Sequence, residues 1–279
     1  YLIYILNNYL IDIIFFDNSE LLESCEIDNH NQLLYFVSIY NNLVYCLDIK
    51  TGVINSMQTI GPVGCVRILG YKKLIVAETN GIYEFDFNSL TSLKLHDFVK
   101  EDGVRFNDGI LDSKGRFLIG TMGYPEIVNK KGKLYSYYEG NYTKLLDEIT
   151  ISNGIAFASD NKIMFYIDTP TKKVVKYDYD LENGLITNKT DLIEFNTNSF
   201  PDGMCIDDKQ NLYIAEWGGS CISKWDSRNG KLLTKYHLPV LNITSCALDN
   251  NNNIYITTAK SDNIKEQYGG ALLYLKFIK

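Results

Sequence analysis

Residues with short, oxygen-bearing side chains recur at one repeated position of the sequence. Six apolar runs lie along the chain, and the position nine residues before the start of each run holds Glu23, Gly64, Asn107, Asn153, Asp202 and Thr244. Carboxylate and amide oxygens are hard ligands, and several of them converging on one point suit a divalent cation. The pattern therefore predicts a metal site. Solvated loop residues are the alternative, because Asn153 and Asp202 each precede Gly, a pairing common in turns.

A cationic side chain stands two residues before one of these positions. Arg105 and Asn107 belong to the stretch Arg-Phe-Asn-Asp-Gly, and residues i and i+2 of a β-strand share a face. Both side chains are therefore expected to reach the same space, where an arginine would hold a carbonyl or hydroxyl oxygen of a substrate. A surface ion pair is the alternative for Arg105.

The apolar runs are the elements that must position these residues. They start at Gln32, Lys73, Arg116, Lys162, Asn211 and Asn253, at intervals of 41 to 49 residues, and an aromatic-rich second strand follows each of them. This period fits four-stranded propeller blades, and helical periodicity is missing from every segment, so a parallel α/β sheet is excluded. The sequence predicts an all-β, six-bladed propeller that forms a single domain over residues 1–279. A strand at about residues 9 to 16 is expected to complete the last blade, with residues 1–8 as a flanking or blade-closing extension.

Composition excludes several classes of protein. The 279 residues carry a net charge of −7, so binding to nucleic acid or to an anionic membrane is not expected. The longest clean apolar run near the start is six residues, too short to span a bilayer, and no signal-peptide pattern is present.

The six cysteines show no C-x-x-C pair and are expected to be free thiols in a reducing compartment, which predicts a cytoplasmic location. Trp217 and Trp225 are expected to pack between blades, with the channel mouth as the alternative for Trp217.

Other catalytic constellations lack the residues they need. The three histidines are scattered and none stands at the repeated position, so a histidine-based triad or a His-rich zinc site is not supported. The sequence also lacks a G-x-S-x-G elbow and a P-loop. The divalent-metal site is the constellation that the residues themselves predict.

Several ordered stretches of the sequence resemble one known family. They are R-F-N-D-G with G-R-F-L-I-G-T-M (105–122), I-S-N-G-I-A-F (151–157) and P-D-G-M-C-I-D with N-L-Y-I-A-E-W-G-G (201–219). Together they resemble the senescence-marker-protein, gluconolactonase and regucalcin family over about residues 20 to 277. The resemblance implies a six-bladed propeller with one divalent metal in its central channel. It also implies hydrolysis of a small-molecule lactone, typically a sugar lactone.

Carried over position by position, the resemblance assigns roles to five residues. Glu23, Asn153 and Asp202 are implied as the metal ligands, and Arg105 and Asn107 as substrate contacts. Asp202 is the preferred general base for an attacking water. The metal is one of Ca²⁺, Zn²⁺, Mn²⁺ or Mg²⁺, because oxygen ligands do not separate these ions.

The sequence departs from the family pattern at three places, one of which is Phe36-Val37-Ser38 where the family has aromatic-Val-Asp. Glu23 lies in Leu-Glu-Ser-Cys, without the usual flanking Gly and Gly-Pro. Some members have a substrate-binding Glu at the position of Pro125, and here Glu126 follows one residue late. Two non-enzymatic alternatives stay open: a calcium-binding or regulatory propeller that uses the same ligands, and a protein-interaction propeller with a vestigial channel.

Overall fold

The structure is a computed structural model that describes residues 3–6, 8–98, 102–262 and 267–278. Within these ranges the chain forms β-strands connected by turns and loops, with one short 3₁₀ helix at Thr169–Thr171. The strands divide into six antiparallel sheets. The prediction of an all-β, six-bladed propeller is confirmed.

In the first five blades the four strands are consecutive in the sequence, and each strand pairs with the next one along the chain. The blades themselves also follow one another in chain order. The first two strands are β1 (Ile3–Leu6) and β2 (Tyr9–Phe16). The first blade contains β3 (Leu22–Asp28), β4 (Leu33–Ser38), β5 (Leu43–Asp48) and β6 (Ile54–Gln58). The second contains β7 (Val63–Gly70), β8 (Lys73–Glu78), β9 (Gly81–Asp86) and β10 (Thr91–Asp97). The third contains β11 (Val104–Leu111), β12 (Phe117–Gly123), β13 (Gly132–Tyr138) and β14 (Asn141–Ile149).

The remaining blades have the same plan until the last. The fourth contains β15 (Ser152–Phe157), β16 (Ile163–Asp168), β17 (Lys173–Asp180) and β18 (Leu185–Glu194). The fifth contains β19 (Phe200–Ile206), β20 (Asn211–Trp217), β21 (Cys221–Asp226) and β22 (Lys231–His237). The sixth contains β23 (Asn242–Leu248), β24 (Ile254–Ala259) and β25 (Ala271–Phe277), and its outer strands come from the other end of the chain.

The ring is closed by hydrogen bonds between the two ends of the chain. Strand β2 pairs antiparallel with β25, so that Tyr9 lies opposite Phe277 and Ile11 opposite Leu275. Strand β2 covers residues 9 to 16, the segment expected to complete the last blade. Strand β1 pairs only with β2 and adds a fifth strand at the outer edge. Closure of this kind leaves only the short outer edge of each blade unpaired.

The core lies between the blades, which explains why the repeated runs are continuously apolar. Alternate residues of a strand point to opposite faces, and in a propeller both faces of a blade are covered. In β4, Tyr35 and Val37 pack against the second blade, whereas Leu34 and Phe36 pack against the sixth. All four side chains are fully buried. Each adjacent pair of blades in the described chain has its own hydrophobic cluster of this type.

All six cysteines are free, and five of them are buried. This agrees with the expectation of unpaired thiols, while the cytoplasmic location stays a prediction. No helix among the described residues is long and apolar enough to cross a membrane.

Candidate functional site

The innermost strands of the six blades surround the central channel, and each carries a β-bulge where it passes the axis. The pairing register shifts after Glu23 in β3, around Asn107 in β11, after Asn153 in β15 and around Asp202 in β19. A bulge bends the strand and changes the direction of its side chains. The repeated position found in the sequence therefore lies at the bulge of the innermost strand, and in four blades its side chain lines the channel cavity: Glu23, Asn107, Asn153 and Asp202.

The glycines that follow two of these residues have a packing role within strands. A Cβ atom on Gly154 would lie 2.7 Å from the carbonyl oxygen of Asp202, and one on Gly203 would lie 2.7 Å from that of Thr244. Neighbouring innermost strands approach each other too closely here for any side chain. The alternative that Asn-Gly and Asp-Gly mark ordinary turns is therefore wrong, since both pairs lie inside β-strands.

Five of the predicted site residues meet at one mouth of the channel. A cavity of about 330 Å³ has Glu23, Arg105, Asn107, Asn153 and Asp202 among its lining residues. We call this end the upper mouth. A side-chain hydrogen-bond relay fixes its floor: Arg105 Nη1 donates to Asn107 Oδ1 at 2.8 Å, and Asn107 Nδ2 donates to Asn153 Oδ1 at 2.9 Å.

The relay continues to the next blade and sets the orientation of each amide. Asn153 Nδ2 donates to Thr169 Oγ1 at 2.8 Å, and that hydroxyl donates to the carbonyl oxygen of Pro201 at 2.9 Å. Because the NH₂ group of Asn153 is held by Thr169, its amide oxygen is turned toward Asn107, from which it accepts a hydrogen bond. The short helix Thr169–Thr171 thus positions an amide oxygen beside the two carboxylates.

The two carboxylates of the floor lie in surroundings that disfavour their charge. Burial and the nearby Asp108 raise the pKa of Glu23 to about 8. Burial, followed by repulsion from Glu23, raises the pKa of Asp202 well above its usual value. Burial also lowers the pKa of the Arg105 guanidinium. Asp202 Oδ1 and Arg105 Nε are buried without a hydrogen-bond partner. The protein alone therefore leaves two buried polar atoms of the floor without a hydrogen-bond partner.

A divalent cation fits this donor set. A buried carboxylate oxygen without a partner, a second carboxylate with a raised pKa and an oriented amide oxygen are hard ligands, which Ca²⁺, Mg²⁺ and Mn²⁺ prefer. Two carboxylates also neutralise a double positive charge. No three His, Cys, Asp or Glu side chains form a metal-binding group in the described ranges, so this set of two carboxylates and an amide is the candidate.

Three of the predicted positions lie outside the cavity lining. Gly64 is packed against the neighbouring strand, where a Cβ would lie 2.7 Å from the carbonyl oxygen of Asn107. Thr244 is buried and donates from its hydroxyl to the carbonyl oxygen of Leu22, which ties the sixth blade to the first. Glu126 is exposed on the loop after β12, and its neighbour Ile127 contributes to the lining instead.

The walls of the upper mouth are apolar, and sequence reasoning missed most of them. The lining side chains above the floor include Leu21, Tyr40, Met122, Ile127, Phe200 and Trp217. The expectation that Trp217 packs between blades is therefore wrong, and its alternative position at the mouth is correct. Trp225 does pack between blades, with its ring 5.4 Å from that of Phe195. The wall residues come from strand ends and loops, where the repeat carries no signal.

The opposite end of the channel, the lower mouth, opens into a larger cavity of about 560 Å³. Its charges are paired: Arg67 Nη2 lies 2.8 Å from Asp108 Oδ1, and Arg67 Nε lies 3.5 Å from Glu26 Oε2. Although burial acts to lower the pKa of Arg67, Asp108 and Glu26 outweigh it and raise that pKa. Cys25, Cys205 and Cys246 line the same cavity.

The fold and the site together define a six-bladed propeller with two buried carboxylates and an asparagine amide at one mouth of its channel. The model of the SMP-30/gluconolactonase/LRE-like region matches residues 21–260. The chain belongs to this family, which includes gluconolactonases.

Individual proteins agree with this assignment. The chain is 33% identical to regucalcin of Xenopus laevis over 236 residues, which cover 81% of this chain and 79% of that protein. It is 30% identical to the putative sugar lactone lactonase YvrE of Bacillus subtilis over 248 residues, covering 86% and 84%. Among solved structures, a calcium-binding protein, regucalcin, from Agrobacterium tumefaciens has a TM-score of 0.89 at 20% identity, over 97% of this chain and 94% of that one.

Proposed function

We propose that the chain hydrolyses lactones at the upper mouth, with one divalent cation bound by Glu23, Asn153 and Asp202. The observation that carries the proposal is the pair of buried carboxylates whose pKa values are raised and whose charge no protein cation fully balances. These carboxylates lie in the channel of a propeller whose family includes gluconolactonases, and this membership supports a lactone as the substrate. The identity of the metal stays open among Ca²⁺, Mg²⁺, Mn²⁺ and Zn²⁺, because the ligands are oxygen atoms only.

When bound, the cation would polarise the ester carbonyl and lower the pKa of water. The protein side chains supply the remaining steps. The Asp202 carboxylate accepts a proton from the attacking water. The water oxygen bonds to the carbonyl carbon, the ring C–O bond breaks, and the leaving ring oxygen takes that proton back from Asp202, which gives a hydroxy acid and restores the carboxylate. Arg105, held by Asn107, donates hydrogen bonds to the carbonyl oxygen as its negative charge develops.

The test is hydrolysis of D-glucono-δ-lactone and δ-valerolactone, followed with a pH indicator above the spontaneous rate. Protein stripped with EDTA is assayed alone and then with Ca²⁺, Mg²⁺, Mn²⁺ or Zn²⁺ added singly. We expect turnover only with added metal, and loss of about 10³-fold or more in Asp202→Ala. Asp208→Ala, at an exposed acidic residue nearby, is the matched control and keeps full activity. Equal activity in Asp202→Ala and wild type would refute the proposal.

A second candidate is a calcium-binding propeller without turnover. It is favoured by the name of the structural neighbour, a calcium-binding protein, and by the same oxygen ligands. This candidate predicts that Ca²⁺ raises the melting temperature of the wild type, that Asp202→Ala abolishes the rise, and that neither lactone is hydrolysed. Replacing Arg105 would then leave calcium binding unchanged, whereas the lactonase needs Arg105 for activity.

A further inference from the structure

The upper mouth has a polar floor and an apolar wall. Leu21, Met122 and Trp217 form part of the wall, together with Tyr40, Ile127 and Phe200 around the opening. Ile127 is 62% exposed, Tyr40 44% and Phe200 36%. Large apolar side chains that stay open to water around one cavity mark a surface that binds an apolar partner.

The polar groups of the floor are largely committed to one another. Asn107 Nδ2 donates to the carbonyl oxygen of Ser152 and to Asn153 Oδ1, and Asn107 Oδ1 accepts from Arg105. The NH₂ group of Asn153 and the hydroxyl of Thr169 are engaged in the same relay. The groups that lack a partner, Asp202 Oδ1 and Arg105 Nε, lie at the bottom.

This distribution limits the polar part of a ligand to one small group. An aldonolactone carries several hydroxyls, and each hydroxyl that enters an apolar site without a hydrogen-bond partner costs about 1–3 kcal/mol. A site that recognises such a ring needs hydrogen-bonding groups along its walls. The walls of this cavity offer mainly hydrocarbon and aromatic surface, and their hydrogen-bonding groups are the Tyr40 hydroxyl and the Trp217 indole N–H.

We propose that the substrate is a lactone with an apolar substituent, whose ester group reaches Arg105 and Asp202 while its alkyl or aromatic part lies against Ile127, Phe200 and Trp217. This inference rests on the proposed lactonase function. A cavity of about 330 Å³ lies within the range of small-molecule sites. Sugar lactones are then poorer substrates than apolar lactones of the same ring size.

The experiment uses δ-lactones that carry no substituent or an alkyl chain of one, three or five carbons, with D-glucono-δ-lactone for comparison. Burial of one CH₂ group is worth about 0.8 kcal/mol, so kcat/KM is expected to rise by up to about fourfold per carbon until the wall is covered. D-glucono-δ-lactone is expected below the unsubstituted ring. A flat or falling series with D-glucono-δ-lactone at the top would overturn the inference and leave the lactonase function intact.

A variant in the wall tests whether the dependence of kcat/KM on chain length arises at this cavity. Ile127→Ser is expected to fold normally, because the side chain is mostly exposed, and to reduce the dependence of kcat/KM on chain length. Ile60→Ser is the matched control, since Ile60 is 69% exposed and does not line the cavity. An unchanged series in Ile127→Ser, or an equal reduction in Ile60→Ser, contradicts the assigned wall.

Binding of lactams separates the two proposals. Lactams have the shape of the lactones and resist hydrolysis, so calorimetry measures the alkyl series without turnover. Tighter binding with longer chains, with no lactone hydrolysed, would refute the lactonase function and support the apolar wall. Binding that does not depend on chain length would refute the apolar wall, whatever the turnover.

Discussion

The two mouths of the channel are built by the same innermost strands, but their charged groups are paired differently. At the lower mouth Arg67 contacts both Asp108 and Glu26. At the upper mouth Asp202 keeps one buried oxygen without a partner, and the pKa of Glu23 is raised to about 8. A single strand, β3, contributes a carboxylate to each end, Glu23 above and Glu26 below.

The comparison shows that size does not identify the functional end. The lower cavity is larger, about 560 Å³ against about 330 Å³. At the lower mouth one cation, Arg67, contacts both carboxylates, although burial raises the pKa of Glu26 and its Oε2 accepts no hydrogen bond. At the upper mouth burial lowers the pKa of the Arg105 cation, and Asp202 Oδ1 has no hydrogen-bond partner, so a ligand would balance the charge there. Unbalanced buried charge is the better marker of a binding site.

The largest expected effect on stability comes from removing the lower cation. Arg67→Met leaves Asp108 and Glu26 without their counter-charge, so the free energy of unfolding is expected to fall by about 3–5 kcal/mol. Arg105→Met, measured in metal-free protein, is expected to cost less, because burial already disfavours the Arg105 cation. Urea denaturation followed by circular dichroism measures both. Equal losses would mean that the two mouths do not differ in this way.

Metal affinity should separate the two glutamates of β3. Glu23→Gln is expected to weaken Ca²⁺ binding by at least about 100-fold. Residues that only hydrogen-bond to metal ligands already change metal affinity by about 10–100-fold when they are replaced, and Glu23 is proposed as a ligand itself. Glu26→Gln, three residues further along the strand, is expected to bind Ca²⁺ as the wild type does. Isothermal titration calorimetry measures both affinities. A comparable loss in Glu26→Gln would place the cation elsewhere in the channel.

The stability of metal-free protein should depend on pH in a direction set by Glu23. Its pKa rises from 4.5 to about 8 on folding, with burial as the main cause. Between these values the folded state binds more protons than the unfolded state, so the stability contributed below about pH 4.5 is lost as the pH rises toward about 8. One such group contributes a slope of up to about 1.4 kcal/mol per pH unit.

Melting temperatures of EDTA-treated protein between about pH 5 and about pH 8 test this slope. Glu23→Gln removes the titrating group, so its melting temperature should change less over the same range. Asp208→Asn, at an exposed residue that lines neither mouth, serves as the control. A wild-type melting temperature that rises with pH in the absence of metal would contradict the prediction.

The smallest expected changes are in the free energy of unfolding, and they have opposite signs for substitutions at Asp202 and Asp207. Asp202→Asn removes a buried charge without a full partner set, so metal-free protein is expected to gain about 1 kcal/mol. Asp207 accepts hydrogen bonds from the backbone and side chain of Asn211 and pairs with Lys224. Asp207→Asn is therefore expected to lose about 1–3 kcal/mol. Thermal denaturation of both variants tests the signs, and destabilisation by Asp202→Asn would refute the interpretation of its environment.

The fold could be predicted because the same constraint acts six times. Every blade has covered faces, so the second strand of each, such as Leu33–Ser38, is a continuous apolar run, and the runs recur with a blade-length period. The floor of the site was predictable for the same reason, since the bulge at each innermost strand keeps Glu23, Asn153 and Asp202 in one register. The position six residues before an apolar run holds Glu26 in the first blade and Arg67 in the second. The charged pair of the lower mouth could therefore also have been found from the repeat.

The wall of the site could not be predicted in this way. Tyr40 and Ile127 lie on connections between strands and Phe200 at a strand start, where length and conformation vary from blade to blade. Their positions depend on packing between loops, which leaves no period in the sequence. Glu126 shows the limit most directly: an offset of one residue on a loop places Ile127 at the cavity and leaves the carboxylate exposed.

The closure of the ring also determines how the molecule responds to a pulling force. Tyr9 lies opposite Phe277 at one end of the β2–β25 pair, so tension applied between these residues separates the two strands from that end. The hydrogen bonds then carry the load one after another, as in a zipper, instead of sharing it as they would in shear. The ring would open at this seam under a low force while the other five blades, each formed by consecutive strands, remain folded.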